Sequence, residues 1–520
     1  MQARRIIVIG AGHNGLTCAA YLARGGYDVV VVEASDHVGG AADTREFADG
    51  FRVSGCAHYV YQLNQQVVQE LGLQQHGLEY SARDLSTIAL SPGEQRVTIG
   101  PGGLSGPVTE RDRSGHQEFT RLTERFAGLL SRYLNQAPPR LANGTRKDRL
   151  TLARLGWDIR RLGRDDMREL LRVGAINIYD VLNEFFDSDL VKGAISLDAV
   201  LGTHMGPRSP NSVLTYLYRL AGNGVPRPGA LALPRGGMGG IAAALERAAR
   251  AAGVEIRSGT AVGRITVSHD RVSGVELTDG ERLEAGLVVS SADPRTTVLS
   301  LLGARHCETG FVRRIHNLRC RGNAAKLHLA LDGPPDFPGV GAPDLRHRLI
   351  FAPDMDYAER AFNPAKYGEY STEPVMEIAL PSMSDPSLAP EGKHVLSAIV
   401  QYAPYQLKAG WDDGQKQAFL DVALATLATV APGIRDQIVA GELLTPADIE
   451  ARYRISGGHW HHGELSLDQF MFVRPVPGAT QYALPVDGLF LCGAGAHPGG
   501  GITGTPGRIA AQVIVEGGAA

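Results

Sequence analysis

Gly10, Gly12 and Gly15 stand in G-x-G-x-x-G spacing after the apolar run Ile6-Ile7-Val8-Ile9, and Glu33 follows eighteen residues beyond the last glycine. Such a set can bind a dinucleotide. The first glycine permits a tight turn out of a strand, the second lets a pyrophosphate approach bare backbone, and the third lets the next helix pack on the sheet. Phosphates then meet unpaired N–H groups at the helix N-terminus, where the helix dipole favours negative charge. A carboxylate at Glu33 accepts hydrogen bonds from an adenosine ribose and repels a 2′-phosphate, so an unphosphorylated adenosine is expected. Ala11 and Asn14 lie within the turn and Ala34 follows the acid, and all three join the expected cofactor-binding set.

The elements that must hold these residues surround them in the sequence. Ile6–Ile9 and Val29–Val32 are β-branched runs of the kind found in parallel strands buried on both faces. Leu16–Leu22 between them reads as a helix, which Gly25-Gly26 stops. Near the other end, "LCGAGAHPGGGITGTPGR" places Pro506 in a first helical turn with Thr505 as its N-cap, directly after Gly504. A helix N-terminus there can stabilise negative charge on the N1–O2 edge of a flavin that has taken a hydride. The front of the chain would then hold the ADP half of the cofactor and the tail its redox ring. A third stretch, "PRGGMGGIAAALERAARAAGVEIRSGTAVGRI", reads as a glycine loop, a helix and a strand over Val254–Ile256, followed by a hairpin and a buried strand at Leu287–Ser290.

Histidines supply the candidate proton-handling groups. His497, in the loop before the C-terminal helix, is the first candidate for a catalytic polar group, and His58 in "SGCAHYV" is the second. His459, His461 and His462 in "HWHH" lack a well-placed acid or cysteine partner, so no metal is expected, and His462 is assigned to the substrate wall. His204 and Met238 are assigned to the same wall.

At 520 residues the chain exceeds what one core supports, so two or three lobes are expected. The net charge of −3 gives no general attraction to nucleic acid. Five scattered cysteines without a C-x-x-C pair argue against a thioredoxin-type dithiol and a zinc ribbon, and suit a reducing, cytoplasmic location. The first strand starts too early to leave room for a targeting peptide, and no apolar run is long enough to span a bilayer. Leu152, Leu155, Ile159 and Leu162 recur at helical spacing among many arginines and Trp157, which allows either a packed cap helix or contact with an anionic membrane surface.

The opening unit through "EASDHVGGAADTREFADGFRVS", together with "PRGGMGG", "GGHWHHGELSLDQFMFVRPVPG" and "GLFLCGAGAHPGGGITGTPGR", resembles the phytoene desaturase-related flavoproteins. The likeness is greatest to the branch of pyridine nucleotide-disulfide oxidoreductase domain-containing 2 proteins and desaturase-like carotenoid ketolases. The resemblance implies an α/β chain with a Rossmann-like FAD-binding lobe of the glutathione reductase/amine oxidase type and a discontinuous α+β substrate lobe. The first lobe would comprise residues 1–75, 230–295 and 481–520. The second would comprise 76–229 and 296–480, with a helical cap at about 115–225. The resemblance further assigns Gly39 and Gly40 to the phosphates and ribityl chain, Val262 to adenine and Gly493 to the ribityl-phosphate region. Ala41-Ala42 stand where many relatives carry arginine.

The implied activity is desaturation of a large apolar, isoprenoid or carotenoid-like substrate by hydride transfer to FAD. A double-bond isomerase, a ketolase and a flavin-bearing assembly protein without turnover are the alternatives. No second dinucleotide fingerprint follows residue 75, so oxygen or a quinone is the expected electron acceptor. Association into a homo-oligomer is compatible with all of these readings.

Overall fold

Arg5–Ile9 forms strand β1, His13–Arg24 helix α1 and Asp28–Val32 strand β2 in the computed structural model, which describes residues 5–222 and 227–517. Strands β3 (Glu255–Arg257), β4 (Leu287–Ser290) and β5 (Leu489–Leu491) complete an all-parallel sheet in the order β3–β2–β1–β4–β5. Ile7 at the centre of β1 faces Val30 on one side and Val288 on the other. Both faces of these central strands are covered, so their sequences are continuous apolar runs without alternation.

The last helix, α2 (Thr505–Glu516), packs beside α1. Two glycines fix the spacing of these layers. A Cβ at Gly15 would overlap the carbonyl oxygen of Gly10, and one at Gly507 would overlap the carbonyl oxygen of Asn14. Helix α1 therefore sits hard against the turn leaving β1, and α2 touches α1 backbone to backbone.

Some boundaries differ from those read in the sequence. Strand β3 starts and ends one residue later than expected. At α2, Gly504 (φ +70°) is the N-cap and Thr505 is already helical, with its N–H donated to the Thr503 hydroxyl at 3.1 Å. Thr503 thus takes the local bonding that Thr505 was expected to supply.

A second, mixed sheet of eight strands runs in the order Ile438–Leu444, Ala324–Leu331, His394–Gln401, Val375–Ala379, Arg348–Phe351, Thr87–Leu90, Arg96–Gly100 and Gly103–Ser105. Thr87–Leu90 pairs in parallel with Arg348–Phe351, so distant parts of the chain build this sheet together. Helices from Glu110 to Leu220 lie between its strands in sequence, and several pack on it. No helix among the described residues is long and apolar enough to cross a membrane.

Substituting Gly507→Ala should destabilise the fold by about 1–3 kcal/mol through overpacking. Gly156→Ala, where an added Cβ meets open space inside a helix, should instead stabilise it by roughly 0.5–1 kcal/mol. Calorimetric melting checks the pair, and equal midpoints would refute the backbone contact between the helices.

Candidate active site

A cavity of about 310 Å³ runs from the turn after β1 to the inner face of the eight-stranded sheet. Its first end is made by Gly10, Gly12, His13 and Asn14 at the start of α1, Glu33, Ala34 and Ser35 at the end of β2, and Gly39 and Gly40. Glu33 is already tied to backbone here, accepting the N–H of Ala11 at 2.6 Å and that of Ser35 at 2.8 Å. Those bonds aim the carboxylate, and each oxygen keeps a further lone pair for a donor in the cavity. The Gly39 N–H donates to the Ala11 carbonyl at 3.0 Å, closing the second glycine loop onto the first.

The tail of the chain forms the adjoining wall through Ala494, Gly501 and Ile502, with His461 and His462 beside them. His13 Nε2 lies 3.0 Å from the Gly501 carbonyl, a direct link between the two ends of the chain. Arg474 braces this wall from behind. Its buried guanidinium donates to the carbonyls of His461, Gly463, Glu464, Gln469 and Ala494, and burial pulls its pKa down to about 10.

These residues fit an adenine dinucleotide that carries a flavin. The first end offers backbone donors at a helix N-terminus and an oriented carboxylate. Three buried polar atoms in lining residues, Asn14 Oδ1, His461 Nδ1 and His462 Nδ1, lack any protein partner. Orphaned polar atoms of this kind are costly in an apolar interior and are satisfied by a polar ligand. Burial keeps both histidines neutral, with His461 pushed down to about 3.

The inner end combines apolar and charged groups. Ala57, Leu201, Ile399, Tyr59, Tyr61 and Trp460 line it together with His58 and Glu377. Strand register explains the charges, because Lys326 and Glu377 both stand opposite Ile399, one on each flanking strand. Lys326 Nζ is 2.7 Å from His58 Nδ1, and His58 Nε2 is 2.8 Å from Glu377 Oε1. Glu377 also pairs with Arg348, which pairs with Asp198, and Asp198 lies 3.3 Å from Arg219.

Burial, and then the Lys326 charge, lower His58 to about 4 against the pull of Glu377. Burial lowers Lys326 to about 7. Glu377 is held well below the usual carboxylate range, since the Arg348 guanidinium and the His58 hydrogen bond outweigh its burial. Because Glu377 is an acceptor, His58 Nε2 carries the hydrogen and Nδ1 presents its lone pair to the lysine.

The sequence-derived candidates separate into two groups. Gly10, Gly12, Asn14, Glu33, Ala34, Gly39, Gly40, Ala41, Val262, His58 and His462 line the cavity. Ala11, Gly15, Ala42, Gly493, Gly504 and Thr505 lie behind its wall, where they shape the backbone. At the tail it is Gly501 and Ile502, not the first residues of α2, that face inward. Met238 is buried in the core, with its N–H donated to Ser54 Oγ at 3.0 Å.

His204 packs edge-on against Phe362, away from the cavity. His497 is likewise outside the wall. Its ring nitrogens lie 3.3 Å and 3.1 Å from the carbonyls of Met471 and Tyr133, and burial holds it near 4, so it ties its loop to Met471 and to the end of the Glu110–Leu134 helix. Lys326, Glu377 and Arg348 were missed by sequence reasoning. Their signal was a lone charge in each of three apolar strand segments, "AAKLHLAL", "VMEIAL" and "RLIF".

Comparison with known proteins places this geometry. Residues 15–515 match the family described as flavin containing amine oxidoreductase. The chain is 34% identical to pyridine nucleotide-disulfide oxidoreductase domain-containing protein 2 of Rattus norvegicus, over 98% of this chain and 92% of that protein. It is 28% identical to a limonene dehydrogenase subunit of Castellaniella defragrans, over 98% and 94% of the two chains. Among solved structures, an oxidoreductase from Methanosarcina mazei shares the fold, with TM-score 0.59 and 18% identity over 98% of this chain and 100% of that one. The match along almost its whole length shows that this chain belongs to the flavin-containing amine oxidoreductase family and is an FAD-dependent oxidoreductase.

Proposed function

We propose that the protein dehydrogenates an apolar, isoprenoid-like substrate at the inner end of the cavity. The observation that carries this reading is the meeting of an apolar wall with one buried, proton-accepting cluster, His58–Lys326–Glu377, at the end remote from the glycine turn. The resemblance to phytoene desaturases and the likeness to a limonene dehydrogenase subunit favour an isoprenoid skeleton. Oxygen or a quinone would take the electrons. An apolar substrate of this class partitions into bilayers, so the reading includes contact with a membrane surface.

Bound FAD supplies a hydride acceptor. The chain supplies position, dryness and a place for the proton. Leu201, Ile399, Tyr59, Tyr61 and Trp460 would hold the apolar skeleton and exclude water, which contributes to the rate by fixing the reacting carbon in place. His58 faces the cavity and would relay the released proton through Nδ1 to Lys326, which would hold it, while Glu377 steadies the imidazole as positive charge passes. Lys326 is faced by Cys56 and His58 from the loop after the Phe51–Ser54 strand, by Glu377 from its own strand, and by His328 two residues along the same strand as the lysine. Burial lifts Cys56 to about 12 and drops His328 well below its usual value, so both are uncharged near neutrality.

The purified protein mixed anaerobically with a terpenoid substrate should bleach in the flavin band, and the product should be two hydrogens lighter. An unchanged product mass would indicate an isomerase and overturn dehydrogenation. Below about 7 Lys326 is protonated and the cluster cannot take another proton, so the rate of bleaching should rise as pH increases through about 7. Lys326→Met should remove that inflection. His58→Ala should slow bleaching by roughly 10²–10⁴-fold while FAD stays bound. Stopped-flow absorbance checks both variants, and unaltered rates would refute the assignment of the proton.

A further inference from the structure

The helix Arg146–Arg161, capped by a reciprocal Thr145–Asp148 hydrogen-bond pair, has no fully buried side chain. Its apolar stripe is split between two faces. Leu152, Leu155, Ile159 and Leu162 are half-buried, and Leu162 packs against the helical core. Leu150 and Trp157, seven residues apart and so on a shared face, are 53% and 61% exposed. Leu141 before the helix and Leu171 on the next one, Arg164–Val173, are also exposed. Half of the eight large exposed apolar side chains among the described residues therefore fall between positions 141 and 171.

Charge on this segment is one-sided. Nine basic and five acidic residues lie between 146 and 173, in a chain whose overall net charge is −3. Most of the acids are engaged. Asp148 caps its own helix, Asp158 bonds Tyr133 and pairs with Arg132, Asp166 pairs with Arg125, and Glu169 with Arg172. Arg146, Arg149, Arg154, Arg160, Arg161, Arg164 and Arg168 have no carboxylate within ion-pair distance among the described residues. Arg154 and Arg161 lie one turn from Trp157 on either side, so guanidinium groups without a carboxylate at ion-pair distance flank the exposed indole.

We propose that this face docks the protein on an anionic lipid bilayer, with Leu150 and Trp157 entering the interface and the arginines meeting lipid phosphates. Indole rings favour the depth of the headgroups, and arginine stems extend along apolar surface while their heads stay hydrated. A second copy of the chain is a poor occupant, because a two-fold contact would set this unpaired positive face against itself. Docking of this kind does not depend on the identity of the substrate.

Co-sedimentation of the full-length, FAD-loaded protein tests it. The vesicles are phosphatidylcholine alone or phosphatidylcholine with about one-third phosphatidylglycerol. The wild type should bind the anionic vesicles at least about tenfold more tightly than the neutral ones, and high salt should abolish the difference. Arg154→Glu with Arg161→Glu, and separately Leu150→Ser with Trp157→Ser, should each lose that preference while circular dichroism and flavin content match the wild type. In intact protein, tryptophan emission should shift to the blue on anionic vesicles, and Trp157→Phe should remove the shift. Equal binding to both vesicles would overturn the proposal. So would anionic binding untouched by either pair of substitutions, or a wild-type dimer that those substitutions dissociate.

Discussion

A backbone-to-backbone contact between α1 and α2, at Asn14 and Gly507, brings the two ends of the chain to one place. The opening βαβ unit can present donors to a pyrophosphate, but it has no wall of its own for a flavin ring. That wall would be Ala494, Gly501 and Ile502, together with His461 and His462 from the preceding block, all of which line the cavity. The tail segment is in register with the glycine turn because α2 lies against α1 and β5 joins the sheet through β4. A side chain at position 507 would push them apart, which is how one missing Cβ comes to govern a site assembled from residues nearly five hundred positions apart.

Charge is buried at several places beside this site, and the protein handles two of them differently. Arg474 is surrounded by carbonyl oxygens and no carboxylate lies within ion-pair distance of it among the described residues, so it acts as a fixed brace for the loop carrying His461 and His462. At the inner end, a chain of contacts runs from Lys326 through the neutral imidazole of His58 to the ionic groups Glu377, Arg348, Asp198 and Arg219. Burying such a series is expensive unless each member is paired, and well-packed apolar residues often stabilise a core as well or better. Its location on a cavity wall, with a lysine shifted toward neutrality, is the arrangement expected of groups kept for chemistry.

The front of the nucleotide fold could be read directly, since Ile6–Ile9, the three glycines and Glu33 carry their reasons within thirty residues. Local signals also gave the helix at the tail, although its N-cap is Gly504, one position before the expected Thr505. The inner end of the cavity was another matter. Lys326 and Glu377 are fifty-one residues apart and meet only through their common register with Ile399, which no local pattern encodes. His497 misled for a related reason. Its glycine-rich surroundings do belong to the site, but the ring turns away to backbone carbonyls of distant segments. Among the arginines, the helical periodicity of Leu152, Leu155, Ile159 and Leu162 was correct, and only the difference in burial sets the exposed pair Leu150 and Trp157 apart from them.

The central claim is that both ends of the chain grip a single FAD. Its most direct measurement is the flavin-to-protein ratio after purification and reloading, compared between a substitution at the front, Gly12→Val, and one at the tail, Gly501→Val. The account predicts about one FAD per chain in the wild type and severe loss in both folded variants. Full flavin occupancy with an unchanged absorption spectrum in Gly501→Val would contradict it.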